Sequence, residues 1–272
     1  MPFITTHSLT LHYKLQGDPD GLPLIFLHGS FATSRWWQPV LDLLPEAIYA
    51  IVLDLRGCGQ SDKPASGYTI ETYAADLADF IAALGLIDFG IVAHSSAGAV
   101  AIEYLLAHPE RASSLILVDP VPAEGVFSPV ETLVLLEQMK HDRTLLTQAI
   151  ASLMPTLTDD VFIASLVDDS QQMAPAAFTG IAESLGRWNR FADVRGLRLP
   201  TLLIWGTLDE IVTRDAMTRT LIAIPGAANL EVLHNCGHSP MIEAPLALTE
   251  RIIEFITQDF GSFEGIRRSV GQ

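Results

Sequence analysis

The stretch Val92-Ala93-His94-Ser95-Ser96-Ala97-Gly98-Ala99 sets two serines side by side among small residues. A serine hydroxyl is a poor nucleophile near neutral pH unless a base takes its proton and an acid orients that base. Both kinds of partner stand further along the chain, in Gly206-Thr207-Leu208-Asp209 and in Asn235-Cys236-Gly237-His238. Together they could attack a carbonyl carbon. The chain order serine, aspartate, histidine is the one expected when the nucleophile sits on a strand-to-helix turn.

The spacing of small residues chooses between the two serines. Gly90–Ala93 reads as a buried strand and Ser96–His108 as a helix, so the serines occupy the junction. A nucleophile projecting from so tight a turn takes a strained backbone conformation. Residues two before and two after it then pass close to the opposite limb. Centred on Ser95 these are Ala93 and Ala97; centred on Ser96 they are His94 and Gly98, and the imidazole is too large. Ser95 is therefore the candidate nucleophile. Ser96 is left to offer its backbone N–H, at the positive end of the helix, to a developing oxyanion.

The elements that must position these groups follow a regular rhythm. Leu9–Leu15 alternates polar and apolar residues, as an antiparallel strand with one solvated face does. Continuous apolar runs at Leu24–Leu27, Ala50–Leu53, Gly90–Ala93, Leu115–Val118 and Leu202–Trp205 read as parallel strands buried on both faces, with a weaker one at Ala228–Leu233. Helix-period segments such as Thr69–Leu84 lie between most of them, which is the signature of a doubly wound α/β domain. The rhythm breaks once. From 121 to 196 only amphipathic helical stretches appear, at Pro129–Met139, Arg143–Met154, Asp159–Ser170 and Ala176–Trp188. The expected organisation is an α/β core made of 1–120 and 197–272, a helical insertion at 121–196, and a flexible tail at 261–272.

Composition narrows the partners. The 272 residues carry 16 basic and 32 acidic side chains, a formal charge of −16. A field of that sign repels nucleic-acid backbones and anionic lipid, leaving a small-molecule substrate as the expected partner. The N-terminus lacks the basic-then-apolar pattern of a signal peptide, and no apolar run reaches the roughly 18 residues of a membrane span. Two cysteines, Cys58 and Cys236, make neither a disulfide framework nor a metal spacing, so a cytoplasmic setting is expected. Arg56-Gly57-Cys58-Gly59 fails as a dinucleotide loop because Asp62 stands at the third glycine position. His234 is four residues from His238 on a strand end, with no third ligand in view. Neither metal nor cofactor is expected.

Four separated motifs carry a family resemblance: Ile25-Phe26-Leu27-His28-Gly29, Asp54-Leu55-Arg56-Gly57-Cys58-Gly59-Gln60-Ser61, the Ser95 turn, and Gly237-His238 followed by Glu243 and Pro245. With them the sequence resembles the α/β-hydrolase fold family, in particular its serine esterase and lactonase members with a helical cap. The resemblance implies a mostly parallel central sheet with helices on both faces and 121–196 as the cap. It implies Ser95 as nucleophile, His238 as general base and then acid, and Asp209 as the orienting carboxylate. It also gives the residue after His28-Gly29 as the second oxyanion donor, hence the Ser30 backbone N–H, with Phe31 next in line.

The sequence departs from the family pattern at Ala93 and Ala97, where glycine is commoner, and at Thr213, where proline often follows the acid; Thr213 could instead cap the next helix. Asp119 also ends a buried strand, and is either an alternative acid or a residue that hydrogen-bonds the turn into the insertion. His28 and His94 are read as groups that position loop backbone. Trp37, Phe127, Phe162 and Trp188 are candidates to line an apolar substrate pocket, beside Phe31 and Phe178, although aromatic residues at helical spacing usually belong to the core.

The expected activity is hydrolysis of a small or medium, mainly apolar carboxylic ester or lactone through an acyl-enzyme. The alternatives are a carbon–carbon bond hydrolase or cofactor-free enzyme using the same three residues, and a hydrolase-like receptor for a small molecule.

Overall fold

The computed structural model describes residues 2–258; the expected tail at 261–272 lies outside them. Eight strands form one sheet: β1 (Phe3–Thr5), β2 (Thr10–Gln16), β3 (Leu22–Leu27), β4 (Ile48–Leu53), β5 (Gly90–His94), β6 (Ser114–Val118), β7 (Thr201–Gly206) and β8 (Ala227–Leu233). Their order is β1-β2-β4-β3-β5-β6-β7-β8, and every pairing from β4 to β8 is parallel. β2 runs antiparallel to β4, as its alternating sequence requires, and β1 adds a further antiparallel edge that three residues are too few to announce. The central strands β5, β6 and β7 are buried at every residue, which explains why they read as unbroken apolar runs. This is the α/β-hydrolase fold expected from the sequence.

Ten α-helices accompany the sheet among the described residues: α1 (Gln38–Leu41), α2 (Ile70–Leu84), α3 (Ser96–Ala107), α4 (Val130–Met139), α5 (Arg143–Ser152), α6 (Asp160–Gln171), α7 (Ala177–Leu185), α8 (Arg214–Ala223), α9 (Pro240–Glu243) and α10 (Pro245–Ile256). Local signals set their ends. Thr69 caps α2 by accepting from the Thr72 N–H, and Gly85, with φ +67°, closes it in the left-handed conformation. Asp142 and Asp159 cap α5 and α6 in the same way. Thr213 caps α8 by accepting from the Ala216 N–H, which accounts for its presence after Asp209.

Helices α4 to α7 occupy the segment between β6 and β7, where no strand forms. The last of them ends at Leu185, three residues before the periodicity does, and Gly186 follows it. This insertion is fastened to loops at the carboxyl ends of the strands. Ser170 Oγ donates to the Phe31 carbonyl after β3, the Ala174 N–H to the Gly57 carbonyl after β4 (2.8 Å), and Thr156 meets Glu243 beyond β8. The carboxyl ends of the strands are where open α/β sheets place their ligands.

Candidate active site

Ser95 stands at the turn from β5 into α3 with φ 54° and ψ −123°, a conformation that costs a non-glycine residue on the order of 1–3 kcal/mol. The turn is held rigidly. Its N–H donates to the Val118 carbonyl (3.0 Å), and its carbonyl accepts from the Gly98 and Val121 N–H groups (2.9 and 3.2 Å). Ala93 and Ala97 have no exposed surface, as the close approach of the two limbs demands.

His238 reaches the turn from the loop after β8. Its Nδ1 lies 2.8 Å from Asp209 Oδ2 and its Nε2 lies 2.9 Å from Ser95 Oγ. An ionised carboxylate only accepts, so Nδ1 carries the proton and Nε2 is free to accept from the serine hydroxyl. Asp209 Oδ1 meanwhile accepts from the Ile211 and Val212 N–H groups (2.7 and 3.0 Å). Burial alone would raise its pKa, but the hydrogen bond and charge of His238, with those two N–H groups, bring it below the usual carboxylate range. All three side chains are at least nine-tenths buried.

The loops bearing Asp209 and His238 are joined along their backbones. Thr207 and Leu208 donate to the carbonyls of Leu233 and Cys236 at 3.0 and 2.8 Å. Gly206 makes this possible, because a Cβ there would lie 2.2 Å from the Gly237 carbonyl oxygen.

The loop after β3 passes directly against the serine turn. A Cβ on Gly29 would lie 2.9 Å from both Ser95 Cβ and His94 Nδ1. Phe31 then turns the chain with φ 62°, and Ser30 Oγ donates to Ser96 Oγ at 3.0 Å. Among the described residues the backbone N–H groups of Ser30, Phe31 and Ser96 have no acceptor. Unpaired donors beside a nucleophile are what an oxyanion needs. Beneath this loop Asp54 accepts from the Ser34 N–H (2.7 Å), the Gln60 N–H (3.0 Å) and His12 Nδ1 (2.7 Å). His12 and its pairing with Asp54 were not visible in the sequence, because 42 residues separate the partners.

His28 and His94 hold backbone. His28 Nδ1 donates to the Gly29 carbonyl while its Nε2 accepts from the Leu55 N–H. His94 Nε2 donates to the His238 carbonyl at 2.7 Å. Burial, reinforced by the neighbouring His238, pushes the His94 pKa down to about 3, so it stays neutral.

Three expected pocket residues are corrected. Trp37 is fully buried with its ring edge-on to Phe26 of β3 (5.2 Å between centroids), so it belongs to the core. Trp188 is buried and donates Nε1 to Glu103 Oε2 on α3 (2.9 Å), where Arg190 joins it, so it anchors the end of the insertion. Phe127 is 79% exposed ahead of α4 and lines no enclosed wall. Phe162 is half-buried on α6. Phe31 and Phe178 do meet, edge to face at 5.4 Å, and join the loop after β3 to α7.

Asp119, Asp209 and His238 are the one group among the described residues whose ligand atoms lie close enough, within 4.8 Å of one another, to surround an ion. Both Asp209 oxygens and both His238 nitrogens are already engaged in hydrogen bonds. His234 lies exposed and outside this group.

A family model for the alpha/beta hydrolase family matches residues 24–251. The chain belongs to that family. This alpha/beta hydrolase is 28% identical to a 2-hydroxy-6-oxononadienedioate/2-hydroxy-6-oxononatrienedioate hydrolase of Dechloromonas aromatica, over 92% of its own length and 91% of the relative's. Among solved structures it resembles an esterase from Exiguobacterium antarcticum (TM-score 0.86, 23% identity, covering 94% of this chain and 99% of that one). It also resembles the enol-lactonase from Burkholderia xenovorans LB400 (TM-score 0.83, 20% identity, 94% and 100% covered). At these identities the two structures speak for the fold.

Proposed function

We propose that this alpha/beta hydrolase is a serine hydrolase that cleaves a neutral, mainly apolar carboxylic ester or lactone through an acyl-enzyme. The observation that carries this reading is the unbroken line Ser95 Oγ–His238–Asp209, with links of 2.9 and 2.8 Å, ending at a strained serine.

In the proposed reaction Ser95 Oγ attacks the substrate carbonyl carbon while its proton passes to His238 Nε2. Asp209 steadies the imidazolium that forms. The carbonyl oxygen becomes an oxyanion held by the backbone N–H of Ser96 and that of Ser30 or Phe31, each such donor being worth roughly 10²–10³ in rate. The tetrahedral intermediate collapses, the C–O bond of the ester breaks, and His238 gives its proton to the departing alkoxide. Water then repeats the sequence on the acyl-enzyme, returning Ser95 and releasing the acid. Residues 121–196 serve as a cap over the site, with Phe31, Phe178 and Phe162 as its apolar contacts.

The relative that acts on a dienedioate raises the carbon–carbon hydrolase reading. A dicarboxylate substrate needs cationic side chains free to meet it. Here Arg35, Lys140, Arg143 and Arg190 are each paired with an acidic group, Asp169, Glu137, Asp168 and Glu103, and the insertion's other two arginines, Arg187 and Arg195, lie exposed at the surface. That pairing favours a neutral substrate. The buried free thiols of Cys58 and Cys236 suit a reducing, cytoplasmic setting.

The test is a panel of p-nitrophenyl esters and lactones of graded chain length, with S95A as control. Turnover that disappears in S95A supports the reading. Turnover confined to a vinylogous diketone, with the esters untouched, supports carbon–carbon cleavage.

A further inference from the structure

Asp119 directly follows β6, which lies between β5 and β7, the strands that lead to Ser95 and Asp209. It has no exposed surface, and its backbone sits at φ 41°, a conformation that favours glycine or asparagine where only a turn is needed. Its Oδ1 accepts from the Gly206 N–H at 2.9 Å, while no N–H or O–H donor reaches its Oδ2. One of its oxygens, one of Asp209 and a ring nitrogen of His238 lie within 4.8 Å of one another.

Two buried carboxyl groups this close cannot both hold a charge cheaply, and the proton goes to the one with fewer donors. Asp209 has three: His238 Nδ1–H, Ile211 N–H and Val212 N–H. Asp119 has one. We propose that Asp119 is a neutral carboxylic acid, protonated on Oδ2, and acts as a positioning residue that leaves Asp209 as the single negative charge behind His238.

Most of the surroundings favour the neutral form, against the Gly206 N–H, whose hydrogen bond favours the ionised one. Burial first, then the charge of Asp209 and a side-chain hydrogen bond to it, with the charge of Glu243 last, hold the Asp119 carboxyl well above the usual carboxylate range. The Cys236 thiol on the same loop is pushed up by burial, and His94, on the other side of His238, stays neutral. Among these groups, then, nothing supplies a compensating positive charge to ionise Asp119. The neutral acid meets Asp209 without repelling it, and His238 faces one carboxylate rather than two. The kinetic consequence rests on the serine-hydrolase reading; the location of the proton does not.

The experiment uses the full chain, wild type against D119N, a neutral isostere that keeps the acceptor for Gly206. Difference infrared spectra near pH 7 are expected to show a protonated-carboxyl C=O stretch in the wild type that D119N lacks. The acid limb of the kcat/KM profile in D119N is expected to superimpose on that of the wild type. If Asp119 is instead ionised, the band is missing and the limb of D119N moves down by about one unit or more, because a negative charge beside His238 has gone; either result overturns the proposal.

D119A tests the positioning role. Without the neutral acid Asp209 becomes more basic, so the limb is expected to move up and kcat to fall, whereas a merely structural role would lower the melting temperature and leave the limb in place. Should no ester be turned over, the infrared band still decides the proton on its own.

Discussion

His94 and His238 are joined through an unusual pair of atoms: the imidazole Nε2 of one donates to the backbone carbonyl of the other at 2.7 Å. The residue immediately before the candidate nucleophile thus holds the main chain of the candidate base. His94 Nδ1 has no partner, so this is the one hydrogen bond that orients its ring, which also packs against Trp36 and His238.

H94A therefore leaves a buried carbonyl unpaired, at a cost of about 1–3 kcal/mol in stability, and frees the loop that sets the Ser95–His238 distance. Misplacement of a reacting group by about 1 Å costs roughly 10²-fold in rate, and a loss of that order in kcat is expected. H94Q can present a side-chain N–H to the same carbonyl and is expected to recover most of it. Steady-state kinetics beside thermal melts of both variants check this; equal losses in the two would refute the role of the bond.

Glu243 is the corresponding fastening on the insertion side. Its Oε2 accepts from the Gly237 N–H at 2.8 Å, and its Oε1 from the N–H and Oγ1 of Thr156 at 3.1 and 2.8 Å. E243A breaks these bonds, along with that from the Cys236 thiol to Oε2, and is expected to lower kcat by about tenfold or more, since the residue beside His238 loses its anchor. T156V removes only the hydroxyl bond and is expected to stay within about threefold of wild type. Comparing kcat and KM of the two variants separates the loop from the insertion.

Folding stability should decline as pH falls, for a reason that can be localised. His94 takes a proton only near pH 3 in the folded chain, against 6.5 when unfolded. Between those values the unfolded chain binds more protons, so stability drops toward pH 3, by up to about 1.4 kcal/mol per pH unit for one group. His28, lowered by burial, adds in the same direction. Asp119 acts oppositely: its raised pKa means that stability present below about 3.8 is lost as pH rises. Urea unfolding across pH 4–7 should therefore give H94Q a shallower slope than wild type and D119N a steeper one.

Much of the site was legible in the sequence because the chemistry imposes local rules. Small residues must flank Ser95 at a tight turn, Asp209 must follow a buried strand, and Thr213 could be recognised as a helix cap from its place before Asp215. The aromatic residues followed no such rule. Trp37 and Trp188 looked equally suited to pocket or core, and only three-dimensional neighbours, Phe26 for one and Glu103 for the other, distinguish the two. Asp119 was recognisable as a strand-end acid, but its relation to Asp209 depends on β6 lying between β5 and β7, which strand order alone reveals. The Asp54–His12 pair and the Glu243–Thr156 contact join residues 42 and 87 positions apart, and no local pattern encodes them.

Covalent labelling with a fluorophosphonate, read by intact mass and peptide mapping, tests the central claim most directly. Wild type should gain a single adduct at Ser95, S95A none, and H238A should react slower by orders of magnitude, because the hydroxyl has lost its base. Labelling of S95A at the wild-type rate, or of H238A as fast as wild type, would contradict the account.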